Sequence, residues 1–173
     1  MKKTFQLPAI AFFAIALLFA SCAAKKPAGK PIASPRDSIS RKVHGARITI
    51  NYGSPSVKGR KIWGGLVPYD TVWRTGANEA TRFTTDKDIQ VEGKTLPAGT
   101  YGFFAIPKAD KWIIIFNSVP NQWGAFKYDA SKDVLRVTVI PTPAEMHERL
   151  VYTINSKGII LTWEKLNVPI TIE

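Results

Sequence analysis

The sequence predicts an all-β protein, an antiparallel β-sandwich of jelly-roll or immunoglobulin-like type with about nine or ten strands and little helix. Three observations predict it. Apolar residues recur with period two along most of the chain, turn residues punctuate these runs at short intervals, and no segment carries an apolar stripe of helical period.

The alternation begins at about Arg41. Ala46, Ile48, Ile50 and Tyr52 alternate with Arg47, Thr49 and Asn51, which is the pattern of a half-buried strand. Glu92-Gly93 and Pro97-Ala-Gly99 mark turns. Two runs, Tyr101–Ile106 and Trp112–Phe116, are apolar on both faces and predict neighbouring central strands joined through Pro107–Asp110. Leu135, Val137 and Val139 predict another half-buried strand. Thr142-Pro-Ala-Glu145 carries a capping-box pattern with Pro at the first helical position and predicts a single helical turn. Leu150–Ile154 and Ile159–Trp163 flank Asn155–Gly158 and predict a hairpin. Val168, Ile170 and Ile172 predict a last strand, at an edge because of Pro169.

The chain has 173 residues, which suits one domain plus an appendage. The appendage is at the front. Lys2 and Lys3 precede an apolar run, Leu7–Ala20, that would span about 21 Å as a helix, short of a roughly 30 Å hydrocarbon core. Residues 1–21 therefore read as a signal peptide. The run ends Leu18-Phe-Ala-Ser-Cys22 and resembles a bacterial lipobox, which implies lipidation at Cys22. Residues 22–33, rich in Pro, Ala, Gly and Lys, read as a flexible tether, and residues 34–173 as the folded domain. The expected location is the cell envelope, anchored to the membrane by the N-terminal lipid. Lys25 and Lys26 after the cysteine lean towards the periplasmic face of the outer membrane.

One cysteine excludes a disulfide framework and any multi-thiolate zinc site. His44 and His147 are far apart without ligand spacing, so no metal and no cofactor are expected. The loop Gly53–Lys61 mimics a phosphate-binding loop but has the wrong glycine spacing and Arg60 where a lysine belongs.

Two clusters carry candidate chemistry. In Val72–Thr81, Arg74 would clamp an anion, Trp73 would stack on a ring, and Asn78 and Glu79 would orient it. The alternative is an internal Arg74–Glu79 ion pair that pins a loop under Trp73. In Asn121–Phe126, Trp123 beside Asn121 and Gln122 forms a sugar-stacking platform or, equally, a plug at the end of the sandwich.

Charge favours the first cluster. The formal charge of +11 includes +6 within residues 41–82, while residues 83–173 sum to zero. Such a local excess suits an anionic ligand or surface. An export signal and the balanced C-terminal half argue against nucleic acid.

The blocks Ser54–Tyr69, Val72–Thr81, Leu96–Tyr101 and Asn121–Phe126 together resemble the bacterial family catalogued as domain of unknown function 2911, over about Ser34 to Glu173. The resemblance implies an exported, often lipid-anchored single-domain protein and no particular activity. The expected function is a non-catalytic binding or envelope-maintenance module for a small anionic or carbohydrate-like ligand. Its expected site joins Trp73, Arg74, Asn78 and Glu79 to Asn121, Gln122 and Trp123. The alternatives are a structural or partner-binding envelope protein, and a metal-independent hydrolase or isomerase using Glu79 and Arg74.

Overall fold

The computed structural model describes residues 33–173 together with Met1. The expected signal peptide, Cys22 and nearly all of the tether lie outside the described residues. Every element below falls within one compact unit, Ile32–Glu173. That unit is all-β, as the sequence predicts, with ten strands and a single 3-10 turn.

Six strands form one antiparallel sheet: β1 (Arg36–Val43), β2 (Ala46–Gly53), β3 (Thr81–Thr85), β6 (Gly99–Pro107), β7 (Trp112–Asn117) and β8 (Asp133–Val139), in the order β1-β2-β3-β6-β7-β8. A long hairpin, β9 (Thr142–Asn155) and β10 (Gly158–Thr171), supplies the opposing layer, and β4 (Ile89–Val91) pairs with β5 (Lys94–Leu96) in a small ribbon. The ribbon joins the end of β10 through a bridge between Val91 and Ile172.

The core lies between sheet and hairpin. Ile48, Ile50, Phe83, Phe103, Ile114 and Val137 from the sheet share one apolar cluster with Leu150, Tyr152, Leu161, Val168 and Ile170 from the hairpin. Tyr152 meets Tyr52 edge-on at 4.7 Å between ring centroids, a favoured aromatic geometry. Trp63, Trp73, Trp112 and Trp163 close one region of this core, with centroids 4.9 to 6.0 Å apart.

The two doubly apolar runs are β6 and β7, hydrogen-bonded neighbours in the sheet. Their outer faces are buried as well. Phe104 and Ile115 are covered by Val72, Ala125 and Tyr128, which belong to loops laid across the sheet. Burial on both faces explains why these strands read as continuous apolar runs.

Three elements depart from expectation. Thr142–Glu145 is not a helical turn but the start of β9, where Thr142 pairs with Asn167 and Pro143 with Leu166. Cross-strand pairing overrides a local capping signal only a few residues long. The strand ending at Trp163 and the one at Val168–Ile172 are one strand, β10, broken in register around Glu164, which has φ 55°. Strand β1 begins five residues before the first alternation. Most of its residues are exposed, so no apolar pattern announces it. It is held by full pairing with β2 through the two-residue turn His44-Gly45, both at positive φ.

Candidate functional site

The segment from Trp73 to Ala80 crosses between sheet strands as a loop, tied at both ends by backbone. Trp73 exchanges two hydrogen bonds with Ala105 of β6, and Glu79 bridges to Trp123. In the middle the loop presses on the end of β2. A Cβ on Gly53 would lie 2.1 Å from the carbonyl oxygen of Ala77, so only glycine permits this approach.

Thr75 is fully buried at φ 51°, a strained conformation for a β-branched residue. Its neighbours hold it there. Its hydroxyl donates to the Phe103 carbonyl at 2.8 Å, and its carbonyl accepts from the hydroxyls of Tyr152 at 2.8 Å and Thr81 at 3.1 Å. Asn78, also at positive φ, donates from Nδ2 to the Ser34 carbonyl at 3.2 Å.

This loop is the partition between two clefts, and the seven predicted residues are divided between them. The larger cleft, about 500 Å³, is lined by Glu79, Asn121, Gln122 and Trp123 together with Arg36, Arg82, Ala80 and Pro120. The smaller, about 220 Å³, takes Trp73, Arg74 and Asn78 with Arg60, Leu66 and Trp163 among its other walls. Arg74 and Glu79 therefore do not share a cleft, and they form no ion pair. Glu79 pairs with Arg36 at 3.2 Å instead. An acid–base site built from Glu79 and Arg74 has no geometric basis in this arrangement.

In the larger cleft the loop 118–128 supplies most of the chemistry. The backbone of Ala80 donates to Gln122 and that of Gly124 to Asn78, which lays this loop alongside the partition. Trp123 is 61% exposed, so it is not a plug at the sandwich end. Asn121 Oδ1 accepts from Arg82 at 3.3 Å. Gln122 donates to the Val119 carbonyl at 2.9 Å, while its Oε1 is buried with no partner among the described residues.

The smaller cleft has a different character. Trp73, only 9% exposed, is the back wall, stacked on Trp163 at 6.0 Å, and offers no free ring face. Arg60 is braced by the carbonyls of Val57 and Ser56. Arg74 has no acidic partner among the described residues, and its Nε is buried without an acceptor. Burial draws its pKa below the ordinary arginine value, since the charge is partly desolvated with nothing opposite to compensate. None of the residues lining this cleft is acidic.

Arg36, Arg82, Arg60 and Trp163 were not among the predicted site residues. In the sequence Arg82 shows only in the local charge excess, and Arg60 in that excess and in the loop Gly53–Lys61 that mimics a phosphate-binding loop. Arg36 lies on the strand that no pattern announced, and Trp163 reads as an ordinary core residue of a hairpin. Among the described residues no group of three His, Cys, Asp or Glu side chains is placed to hold a metal ion.

The family model described as a protein of unknown function, DUF2911, matches residues 34–172. The chain belongs to this family. No curated protein and no solved structure matches it.

Proposed function

We propose, from the cleft and not from the family's description, that this DUF2911 member is a non-catalytic binding module of the cell envelope whose larger cleft takes a carbohydrate-like ligand. The observation that carries this reading is the pairing of an exposed indole with an unsatisfied buried acceptor. Trp123 offers an apolar ring face to solvent, and beside it Gln122 Oε1 has no donor. An orphaned buried acceptor costs about 1–3 kcal/mol, which a ligand hydroxyl would relieve.

Sugars present both complements: a flat C–H face for the ring, and hydroxyl donors around its rim. Asn121 and the Arg36–Glu79 pair supply further donors and acceptors, and Arg82 offers charge to an acidic sugar. A volume of about 500 Å³ falls within the range of small-molecule sites, roughly 300–1,000 Å³.

The address belongs to the same reading. The signal-like run and Cys22 support export and lipid anchoring, and Lys25 and Lys26 support the periplasmic face of the outer membrane.

The test is titration of the full chain with glucose, N-acetylglucosamine and glucuronate, read by tryptophan fluorescence and melting temperature. At least one sugar should bind saturably. Trp123→Ala should weaken it by about 2- to 10-fold, the value of a stacking contact beyond its buried area. Absence of any saturable response, or equal binding by Trp123→Ala, overturns the reading. Such a result favours a partner-binding role instead, because the loop 118–128 leaves two large aromatic side chains exposed, Trp123 and Phe126, the latter at 85%.

A further inference from the structure

We infer that the smaller cleft is a second, separate site, selective for a small oxyanion: a carboxylate or phosphate group gripped by Arg74 and Arg60 against the buried indole of Trp163. It lies on the other side of the partition loop from the Trp123 cleft and does not depend on the carbohydrate reading.

The walls offer donors with no opposing acid. Arg60 and Arg74 both line the cleft, and none of the lining residues carries a carboxylate. The larger cleft also has two arginines, but there Glu79 answers Arg36. Uncompensated positive charge in a partly desolvated recess attracts an anion far more strongly than the same charge in water.

Two of the residues lining the cleft carry buried donors without acceptors. Arg74 Nε and the Trp163 indole N–H are both enclosed without a hydrogen-bond partner, and Trp163 is only 1% exposed. Native proteins rarely leave such groups unmade. An oxyanion, with two or more acceptor oxygens, can satisfy a guanidinium and an indole N–H together.

Backbone geometry gives the site its shape. Thr75 and Asn78, both non-glycine residues at positive φ, hold the loop that carries Arg74, and strain of this kind concentrates at binding sites. The space also sets a limit. About 220 Å³ holds roughly seven waters at ~30 Å³ each, enough for an anionic group on a small body and below the range of drug-sized sites.

The experiment follows the tryptophan indole N–H resonances of the ¹⁵N-labelled full chain in non-ionic detergent, assigned with Trp163→Phe. Sodium phosphate and sodium acetate are titrated separately, with chloride holding ionic strength constant. The expected result is a saturable shift of the Trp163 resonance with at least one anion and none at Trp123. Whichever anion binds identifies phosphate or carboxylate as the preferred group.

Arg74→Ala should weaken binding by at least ~10-fold, the loss expected for a charged hydrogen bond. Should that variant fold poorly, Arg60→Ala, at the exposed rim, should still weaken it several-fold. If neither anion shifts Trp163 saturably, the inference is overturned. It is equally overturned if chloride alone reproduces the shift, or if folded Arg74→Ala and Arg60→Ala bind as the wild type does. Sugars report through Trp123 and anions through Trp163, so either reading can fail without the other.

Discussion

Tyr152 shows how one residue couples the core to the site. Its ring is enclosed between Tyr52 and Phe103, and its hydroxyl holds the strained Thr75 carbonyl beneath the partition loop. Burial raises the Tyr152 pKa well above the ordinary tyrosine value, and burial likewise pushes Tyr52 up to about 12, with Asp37 adding to the rise. Both shifts favour the neutral form in the folded state. The unfolded chain therefore releases these protons first, from about pH 10, and stability present below that pH is lost as it rises towards 12 and beyond. For Tyr152 alone the slope rises towards about 1.4 kcal/mol per pH unit once the unfolded tyrosine is ionised, above about pH 11. Denaturant unfolding at pH 9, 10 and 11 should show this decline, and Tyr152→Phe should remove one proton's share of it. A variant with the wild-type slope would disprove the assignment. At pH 7 the same substitution should cost about 1 kcal/mol, because Thr81 still satisfies the Thr75 carbonyl.

The element that decides the larger cleft is the loop 118–128, and its anchor lies outside it. Asp133, at the start of β8, accepts from Tyr128, Arg136 and Asn117, which ties the end of the loop to the sheet. Burial pushes the Tyr128 hydroxyl up to about 12, with Asp133 adding to the rise, so it stays a donor at neutral pH. Asp133→Ala should cost about 1.5–3 kcal/mol, the worth of a charged hydrogen bond, and should speed amide exchange across residues 119–128. Unchanged exchange would mean that the loop is held elsewhere. Asn121 and Trp123 stood out in the sequence by their chemistry, but this tether did not, because Asp133 and Tyr128 are ordinary residues until the fold brings them together. Strand β1 was hidden for another reason. Its exposed faces leave no apolar period, and only pairing with β2 defines it. By contrast, β2 and β8 were legible as period-two alternation because each buries one face, and β6 and β7 as continuous apolar runs because both of their faces are buried.

Across the whole molecule, three of the eight basic residues behind the charge excess of residues 41–82 line the two clefts. Arg60 and Arg74 line one cleft and Arg82 the other. The sequence identified the Trp-Arg segment but joined residues of two clefts in one expected site, because Trp73 through Glu79 are contiguous in the chain while they line different clefts. Residue order carries no record of which side a non-periodic segment presents. The proposed envelope address has its own test: Cys22→Ser should release the protein from membranes, and membrane association unchanged by the substitution would refute the lipid anchor. The hydrogen bond from Asn78 to Ser34 and the ion pair of Arg36 with Glu79 bear on how any soluble form is cut. Ser34 and Arg36 are wall residues, one for each cleft, and also the first residues of the chain's entry into the sheet. A truncation or tag joined there alters the walls of both clefts. Ligand measurements report on the native clefts only when the expressed chain begins ahead of Ser34.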